Sequence, residues 1–306
     1  MIKRLQANRK ATGVSMGAVY GLLGTSRQGH HQRLRRQEGQ DGMMDQVKGM
    51  AQAYRQEKDA RTGSRSLSHN PGIKGIFQIG VSKFEHLMST YGLTLLPLRT
   101  RVVTTQSSLQ SWNYKNLADG LKVNGINQIV AGDLTYVYIG GSLFYLFCLT
   151  DLYSYRIVGC CAGERQRAKD AKIALEAWFD LRGRLAVKGC VHHTDGGSQY
   201  YSRLYLKGLA DHEARPSVAQ NCLQNGYAEQ KNSLLKNHLI PTADTQNLKQ
   251  LQMELLRIVA FYNHERKQQA LGWRAPVAYE VHIESLAVDQ RPVKTLHDFH
   301  TGKNGT

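Results

Sequence analysis

Three acidic side chains stand out by their positions in the sequence. Asp133 lies inside a strand-forming run, where an unpaired buried carboxylate is costly. Asp195 follows a short strand-like run and precedes two glycines, which let other groups approach its carboxylate closely. Glu229 lies early in a helix-forming segment. Each acid alone also fits an ordinary role as a strand-edge, loop or helix-surface residue, but together they supply the oxygen ligands that Mg²⁺ and Mn²⁺ prefer.

Three carboxylates from separate elements are the minimum set for one kind of chemistry. Two divalent ions about 3.5–4 Å apart align the attacking and leaving oxygens of an in-line phosphoryl displacement. One carboxylate must bridge both ions, and each of the other two completes one ion. The sequence therefore predicts a site for two Mg²⁺ or Mn²⁺ ions, which activates a water or a DNA 3′-hydroxyl without a covalent enzyme intermediate.

The elements around these acids follow an α/β pattern. A strand over 129–138 ends at a hairpin turn at Gly140 and Gly141, and the apolar run 143–149 is typical of a strand buried on both faces. Next come, in order, a strand at 156–162, a helix at 168–181 and a strand at 187–193. The residues expected on the apolar side of that helix are Ile173, Leu175, Ala177, Trp178 and Leu181. Further helices and a strand extend to about residue 271, which predicts a layered sheet with flanking helices.

The amino-terminal part carries most of the excess positive charge. The chain of 306 residues has 40 Lys and Arg against 24 Asp and Glu, a formal net charge of +16. Residues 1–132 hold 19 basic and 7 acidic side chains, and the first 37 residues hold eight basic side chains and no acid. This excess indicates a polyanionic partner. The exposed basic residues expected to contact DNA there are Arg27, Arg33, Arg35 and Arg36.

Short helical patterns separated by turns occupy this basic region. We predict a short helical segment within residues 1–36, with Val14, Ala18, Leu22 and Leu23 on one face and a basic tail at 27–36. A helical pattern at 42–59, a loop at 62–75 and a helix at 83–91 stopped by Gly92 follow. Such an arrangement fits a helix-turn-helix-like DNA-binding region. The alternative is a small helical bundle with a solvated basic face.

Several protein classes are disfavoured. No run of about 18 apolar residues predicts a membrane span, and the start lacks the apolar core of a signal peptide. The five cysteines are odd in number and form no Cys-x-x-Cys motif, so neither a disulfide framework nor a zinc cluster is predicted. We therefore expect a protein of the reducing cytosol, with no membrane partner.

Five ordered motifs resemble the catalytic core of DDE transposases of bacterial insertion sequences. They are residues 132–136, 149–159, 193–200, 226–229 with Lys236, and 261–280. Asp195 lies 62 positions after Asp133, and Glu229 lies 34 positions after Asp195, which are fitting gaps. The run 23–29 also resembles this family, so the resemblance covers nearly the whole chain. The most similar group builds its transposase from two overlapping reading frames, and this chain resembles the second.

The resemblance implies a ribonuclease-H-like fold shared with retroviral integrases, with a mixed five-stranded sheet and flanking helices. It implies that Asp133, Asp195 and Glu229 are the catalytic residues and metal ligands. It also implies DNA contacts at Lys236, Gln199, Tyr200 and Asn225. Lys236 could equally be a solvated helix lysine. We interpret His192 and His193 as positioning or packing residues, because magnesium avoids imidazole.

The implied function is that of a DNA transposase, which cuts the transposon ends and transfers the 3′-hydroxyl into a second phosphodiester. The implied partners are the terminal inverted repeats, the target DNA, further copies of this chain in a homodimer or larger assembly, and the first-frame product. Two alternatives remain: a nuclease on the same fold, and a non-catalytic DNA-binding repressor. The expected division is a DNA-binding region at 1–96, a linker at 97–127, the catalytic core at 128–285 and a tail at 286–306.

Overall fold

The computed structural model describes residues 15–96, 113–219, 233–240 and 245–296, without the side chain of His238. The first of these ranges is helical, and the remainder forms an α/β unit built on one sheet. This arrangement confirms the predicted helical region ahead of a mixed sheet with flanking helices.

The helical region contains one long helix and four short ones. They are α1 (Met16–Leu22), α2 (Arg27–Glu57), α3 (Ser64–Leu67), α4 (Pro71–Ile76) and α5 (Val81–Thr90). The hydroxyls of Ser15 and Ser26 accept hydrogen bonds from backbone N–H groups in the first turns of α1 and α2, which fixes where these helices begin. Gly92 adopts a φ of +68° after α5, as expected for a glycine that stops a helix.

Two predictions for this region were wrong. The basic tail at 27–36 and the helix at 42–59 are one continuous helix, α2, of 31 residues. The segment 62–75, expected as a loop, contains α3 and α4. In both cases packing outweighs weak local propensity, because Met44 and Val47 of α2 and Leu67 of α3 are buried in one apolar cluster.

The α/β unit is built on five strands in the order β4–β3–β2–β5–β6. They are β2 (Ile129–Ile139), β3 (Ser142–Asp151), β4 (Ile157–Gly163), β5 (Val191–Thr194) and β6 (Arg215–Val218). β2, β3 and β4 form an antiparallel meander, whereas β5 and β6 are added parallel to β2. This strand order confirms the predicted mixed five-stranded, ribonuclease-H-like sheet.

The turn between β2 and β3 lies where the sequence predicts it. Gly140 and Gly141 have φ values of +55° and +79°, which a two-residue hairpin turn of this kind requires. β2 has 11 residues but its parallel partner β5 has only four, so the β2–β3 hairpin projects well past the end of β5.

Helices cover both faces of the sheet. The principal ones are α6 (Ala168–Arg182), α8 (Arg203–Asp211), α9 (Leu248–His264) and α10 (Pro276–Glu284), with a short α7 (Arg184–Val187) and a π-helical segment (Leu235–Leu239). The strand predicted at 187–193 is shorter in the structure. Val187 is the last residue of α7, and β5 begins only at Val191.

The predicted apolar side of α6 was partly wrong. Ile173 and Leu181 are exposed, whereas Ala171, Ala174 and Phe179 are buried with Trp178. The face that packs is therefore rotated from the predicted one, toward the small residues that allow a close approach to β4.

Close packing between β4 and α6 depends on Gly159. A methyl group at this position would lie 2.0 Å from the carbonyl oxygen of Ala174. We expect Gly159→Ala to lower the free energy of unfolding by about 3 kcal/mol, because the helix must shift to relieve the overlap. Urea denaturation measures this loss.

Gly49→Ala is the matched control for that substitution. Gly49 lies in α2, and a methyl group added there would have no atom within 4 Å, so alanine is expected to stabilise the helix by about 0.5–1 kcal/mol. Equal unfolding free energies for both alanine variants would contradict the packing role of Gly159.

A two-stranded pair lies beside the main sheet. β1 (Lys122–Val123) pairs antiparallel with β7 (Lys294–Thr295), and Leu296 donates its N–H to the carbonyl of Leu121. One strand of this pair lies in the predicted linker and the other in the predicted tail. The predicted domain boundaries stay predictions.

Two further observations concern the described residues alone. None of their helices is long and apolar enough to cross a membrane. Their four cysteines, Cys148, Cys160, Cys161 and Cys190, are free thiols.

The helical region packs directly against the α/β unit. Arg266, just after α9, forms an ion pair with the buried Asp59 at 3.1 Å, and the rings of Tyr54 and Phe261 meet edge to face. His69 also stacks on Trp273, with ring centroids 3.6 Å apart. These contacts hold the two parts of the molecule together.

Candidate active site

Two of the three predicted acids lie at the same level of a parallel strand pair. Gly132 of β2 is in register with Thr194, the last residue of β5. The next residue along each of the two segments is an acid, Asp133 within β2 and Asp195 just beyond β5. The register therefore brings both acids to the edge of the sheet where β5 ends.

The backbone at this point is tightly packed. A methyl group on Gly132 would lie 2.9 Å from a methyl of Leu149 and 3.0 Å from a methyl of Thr194. Glycine therefore lets β2 and its neighbours approach closely one residue before Asp133.

Burial dominates the electrostatics of these carboxylates. Asp133 has 9% of its surface exposed, and Asp195 is half-buried. Burial raises the pKa of Asp195, and a hydrogen bond of 3.1 Å from the N–H of Gly197 partly offsets this. Among the described residues, no basic side chain lowers the pKa of Asp195, so a cation at this point would remove an electrostatic cost.

The hydroxyl of Tyr200 lies close to both acids. Burial raises the pKa of Tyr200, and the charges of Asp195 and then Asp133 raise it further. In the described part of the chain, this buried hydroxyl has no hydrogen-bond partner. An unpaired buried hydroxyl is costly, and it remains available to donate to a group placed between the acids.

Gln199 also lies beside Asp195. A methyl group on Gly197 would lie 2.3 Å from Nε2 of Gln199 and 2.9 Å from Oδ1 of Asp195, so the amide covers this glycine. Gln199 and Tyr200 have only 7% and 2% of their surfaces exposed. Their contact with a DNA strand stays a prediction, and their burial beside Asp195 also suits residues that position the acids.

The two histidines before Asp195 are buried and hydrogen-bonded, as expected for packing residues. Nε2 of His192 lies 2.9 Å from the hydroxyl of Tyr205, and Nδ1 of His193 lies 2.9 Å from Oγ of Ser217. Burial lowers the pKa of His192 to about 3, so its ring is neutral near pH 7.

Lys236 lies in the π-helical segment, over the extended part of β2. Its Nζ is 4.1 Å from the ring centroid of Tyr136, a cation–π contact. Residues Leu235–Leu239 form a π-helical segment, which has more residues per turn than an α-helix. Glu229 and Asn225 lie outside the described residues.

The predicted basic residues of the amino-terminal region share one helix. Arg27, Arg33, Arg35 and Arg36 are all exposed in the first third of α2. Arg27 and Arg35 line one side of the helix together with His31, and Arg33 and Arg36 lie on another side, near Tyr91. The structure does not bring them to the carboxylates by any described contact.

Sequence reasoning missed two features of the α/β unit. The first is a pair of exposed tyrosines, Tyr136 and Tyr138, on the projecting part of β2. Because Tyr136 and Tyr138 are two residues apart on a predicted strand, the sequence could have indicated that both side chains lie on one face.

The second missed feature is a buried ionic cluster centred on Glu280 of α10. Glu280 accepts hydrogen bonds from Arg182, from Arg156 at 2.6 Å and from Ser154 at 2.7 Å, and Arg182 also lies 3.9 Å from Asp151. The members of this cluster are far apart in the sequence, so no local sequence pattern predicts the cluster.

The donor atoms of the site fit hard divalent cations. Within the described ranges, no three His, Cys, Asp or Glu side chains converge as a complete metal site. Asp133 and Asp195 nevertheless offer oxygen donors only, in a half-buried position that a cation would stabilise. One nitrogen of each neighbouring histidine is hydrogen-bonded, Nε2 of His192 to Tyr205 and Nδ1 of His193 to Ser217. Oxygen donors alone favour Mg²⁺ or Mn²⁺ over zinc.

Comparison with solved structures finds retroviral integrases. The catalytic core domain of HTLV-2 integrase, described as a complex with magnesium, is 14% identical, with a TM-score of 0.41 over 54% of this chain and 99% of that one. An intasome of simian T-cell lymphotropic virus has a TM-score of 0.44, covers 76% of this chain and 74% of that one, and is 14% identical.

Comparison with curated proteins finds relatives that are named for insertion sequences. The putative transposase of IS986/IS6110 from Mycobacterium tuberculosis is 33% identical over 172 residues, which are 54% of this chain and 61% of that protein. The transposase of IS904 from Lactococcus lactis is 27% identical over 69% of this chain and 83% of that protein. The match therefore spans about three fifths of the mycobacterial relative's length.

Two adjoining family models complete the comparison. Both are described as the integrase core domain, and they match residues 124–221 and 213–276. The matched region begins just before β2 and includes all five strands, both aspartates and the position of Glu229. The two models together match residues 124–276, half of the chain, so the chain belongs to the integrase core family, and the curated relatives that it resembles are named as transposases of insertion sequences.

Proposed function

We propose that this protein is a DNA transposase that cuts the ends of its insertion sequence and joins each freed 3′-hydroxyl to a second phosphodiester. The observation that carries the proposal is the adjacency of Asp133 and Asp195 at the end of the β2–β5 pair. Membership of the integrase core family supports it.

In this proposal Asp133, Asp195 and Glu229 hold two Mg²⁺ or Mn²⁺ ions. When bound, such ions polarise the scissile phosphate and lower the pKa of the attacking water or hydroxyl. Burial of the two aspartates limits the competing interaction with water. The buried side chains of Tyr200 and Gln199 pack beside the carboxylates, and the N–H of Gly197 donates to Asp195. Rigid neighbours of this kind preserve the geometry that phosphoryl transfer needs.

DNA is the proposed partner, and the basic residues are its proposed contacts. Lys236 and Asn225 would hold the strand near the acids, and Arg27, Arg33, Arg35 and Arg36 would bind phosphates farther away. The net charge of +16 supports this assignment, and binding that depends on phosphate contacts weakens steeply with salt.

An assembly larger than one chain is part of the proposal. Two transposon ends must be cut and joined to one target, so each end needs its own set of carboxylates. A homodimer or higher oligomer on paired ends meets this need. The first-frame product of the same element is a further proposed partner in end recognition.

A strand-transfer assay tests the proposed function. Labelled duplexes that carry the element's ends are incubated with protein in Mg²⁺ or in EDTA, and joined products are resolved by length. We expect joining only with Mg²⁺, and we expect Glu229→Gln to abolish it because a metal ligand is lost. Glu176→Gln is the control, because Glu176 is an exposed residue of α6.

Three results would separate the alternatives. Cleavage without joining would instead indicate a nuclease. Salt-sensitive binding without any product, even after the first-frame product is added, would indicate a DNA-binding repressor. Joining in EDTA, or joining by Glu229→Gln at the wild-type rate, would contradict the metal site.

A further inference from the structure

The projecting part of β2 carries an unusual aromatic surface. Tyr138 is 71% exposed and Tyr136 is 41% exposed, and their rings meet edge to face with centroids 6.1 Å apart. Both lie beyond the last residue of β5, where β2 has lost one neighbouring strand. Neither ring therefore contributes much to the core, although both aromatic side chains are held in a fixed relation.

This surface lies farther along the strand that carries Asp133. Tyr136 and Tyr138 follow Asp133 by three and five residues, or about 10 and 17 Å. Because successive side chains alternate between the two faces of a strand, both rings lie on the face opposite to that of Asp133, so a DNA strand would reach them past the edge that β2 leaves open beyond β5.

The charge around the tyrosines suits a nucleic acid. Nζ of Lys236 lies over the Tyr136 ring at 4.1 Å. The register Tyr136–Tyr145–Gly163 across β2, β3 and β4 also places the end of β4 level with Tyr136. Just after β4 the exposed residues are Glu164, Arg165, Gln166, Arg167 and Lys169, with three basic side chains and one acid.

We propose that Tyr136 and Tyr138 form a stacking platform for unpaired bases at the end of the DNA substrate. The inference rests on the proposed function to the extent that DNA is the substrate. Stacking on aromatic rings accepts any base, because every base has a π-face. Lys236 and the basic residues after β4 bind the phosphates that flank the stacked bases, and the platform keeps the opened end from closing again.

Comparative DNA binding tests the platform. The full chain is titrated in EDTA into two labelled duplexes of the same sequence, one fully paired and one with about five unpaired nucleotides at its end. We expect the wild type to bind the unpaired end about 5- to 100-fold more tightly, as base–aromatic stacking implies. Tyr138→Ala is expected to lose this preference and to keep its affinity for paired DNA.

Control variants isolate the stacking contribution. Tyr138→Phe and Tyr138→Trp keep an aromatic face and should keep the preference. Lys236→Ala should weaken binding to both duplexes alike, because a phosphate contact ignores base pairing. Leu185→Ala removes an equally exposed apolar side chain elsewhere in the unit and should change neither affinity.

Three results would overturn the platform. They are no preference in the wild type, an unchanged preference in Tyr138→Ala, and a change of oligomeric state in Tyr138→Ala, which would make this surface a contact between chains. Because the titration needs no joining, a protein inactive in strand transfer can still show the preference. If the binding test contradicts the platform, the expected loss of strand transfer in Glu229→Gln is unaffected.

Discussion

Asp133→Asn and Asp195→Asn are each expected to reduce strand transfer by at least about 10³-fold while DNA binding persists. Charge stabilisation by a metal pair contributes several kcal/mol to a phosphoryl transfer, and each 1.36 kcal/mol corresponds to a factor of ten in rate. Asparagine keeps the size of the side chain but removes the charge that holds a divalent cation. The rate of joining and the affinity for end DNA are measured on the same preparations.

The double variant sharpens this prediction. Residues that act as one unit are non-additive, so Asp133→Asn with Asp195→Asn should be no slower than either single variant. Asp180→Asn changes an exposed acid of α6 and serves as the control for loss of one negative charge. Multiplicative losses in the double variant, or an equal loss in Asp180→Asn, would contradict a shared metal site.

Stability provides a second readout for the same variants. Burial raises the pKa of Asp195, so the folded protein at pH 7 carries an ionised carboxylate in an unfavourable position. Asp195→Asn should therefore keep or raise the melting temperature while activity is lost. A lower melting temperature would instead assign Asp195 a structural role.

Glu280→Gln is expected to lower the free energy of unfolding by about 3–5 kcal/mol. The substitution removes the closest negative charge from the guanidinium groups of Arg182 and Arg156 and leaves Arg182 with Asp151 alone, at 3.9 Å. A buried charge that loses its closest partner is strongly destabilising. Urea denaturation at pH 7 measures the loss. Glu284→Gln, on an exposed part of α10, is the control and should change stability by less than about 0.5 kcal/mol.

The pH dependence of this loss follows from the pKa of Glu280. Burial alone would raise that pKa, but hydrogen bonds and charge from Arg182, with hydrogen bonds from Ser154 and Arg156, outweigh burial and hold it below 4.5. The stabilisation is complete above pH 4.5 and is lost as pH falls through the lowered value. The gap between wild type and Glu280→Gln should therefore narrow below pH 4.5, and a constant gap would contradict the ion pair.

The sequence predicted the meander and its turn well because these features are local. The glycine pair at 140–141 and the apolar run of β3 each specify a backbone state through neighbouring residues. The length of α2 could not be predicted in the same way. Its central glycines and polar residues are poor local signals, and the helix continues because Met44 and Val47 pack against other helices.

In the candidate site, too, features set by neighbouring residues could be predicted, and features set by distant residues could not. The placement of Asp133 and Asp195 at the same level depends on a parallel strand that follows a helix in the sequence, so the residues alone indicated only candidates, and the family resemblance supplied the arrangement. The burial of Tyr200 was not predicted, because its environment comes from β5 and α8 rather than from its own segment. The Glu280 cluster joins residues more than a hundred positions apart and leaves no local pattern.

The β1–β7 pair has a consequence for engineering. Lys122 and Thr295 are directly opposite each other, so two segments far apart in the sequence meet at one corner of the α/β unit. That corner packs with Ile129 at the start of β2, and Tyr138 is about 30 Å farther along the same strand. A fluorophore or surface tether attached at the exposed side of this corner would therefore sit at the far end of β2 from the hairpin tip and leave the tip accessible.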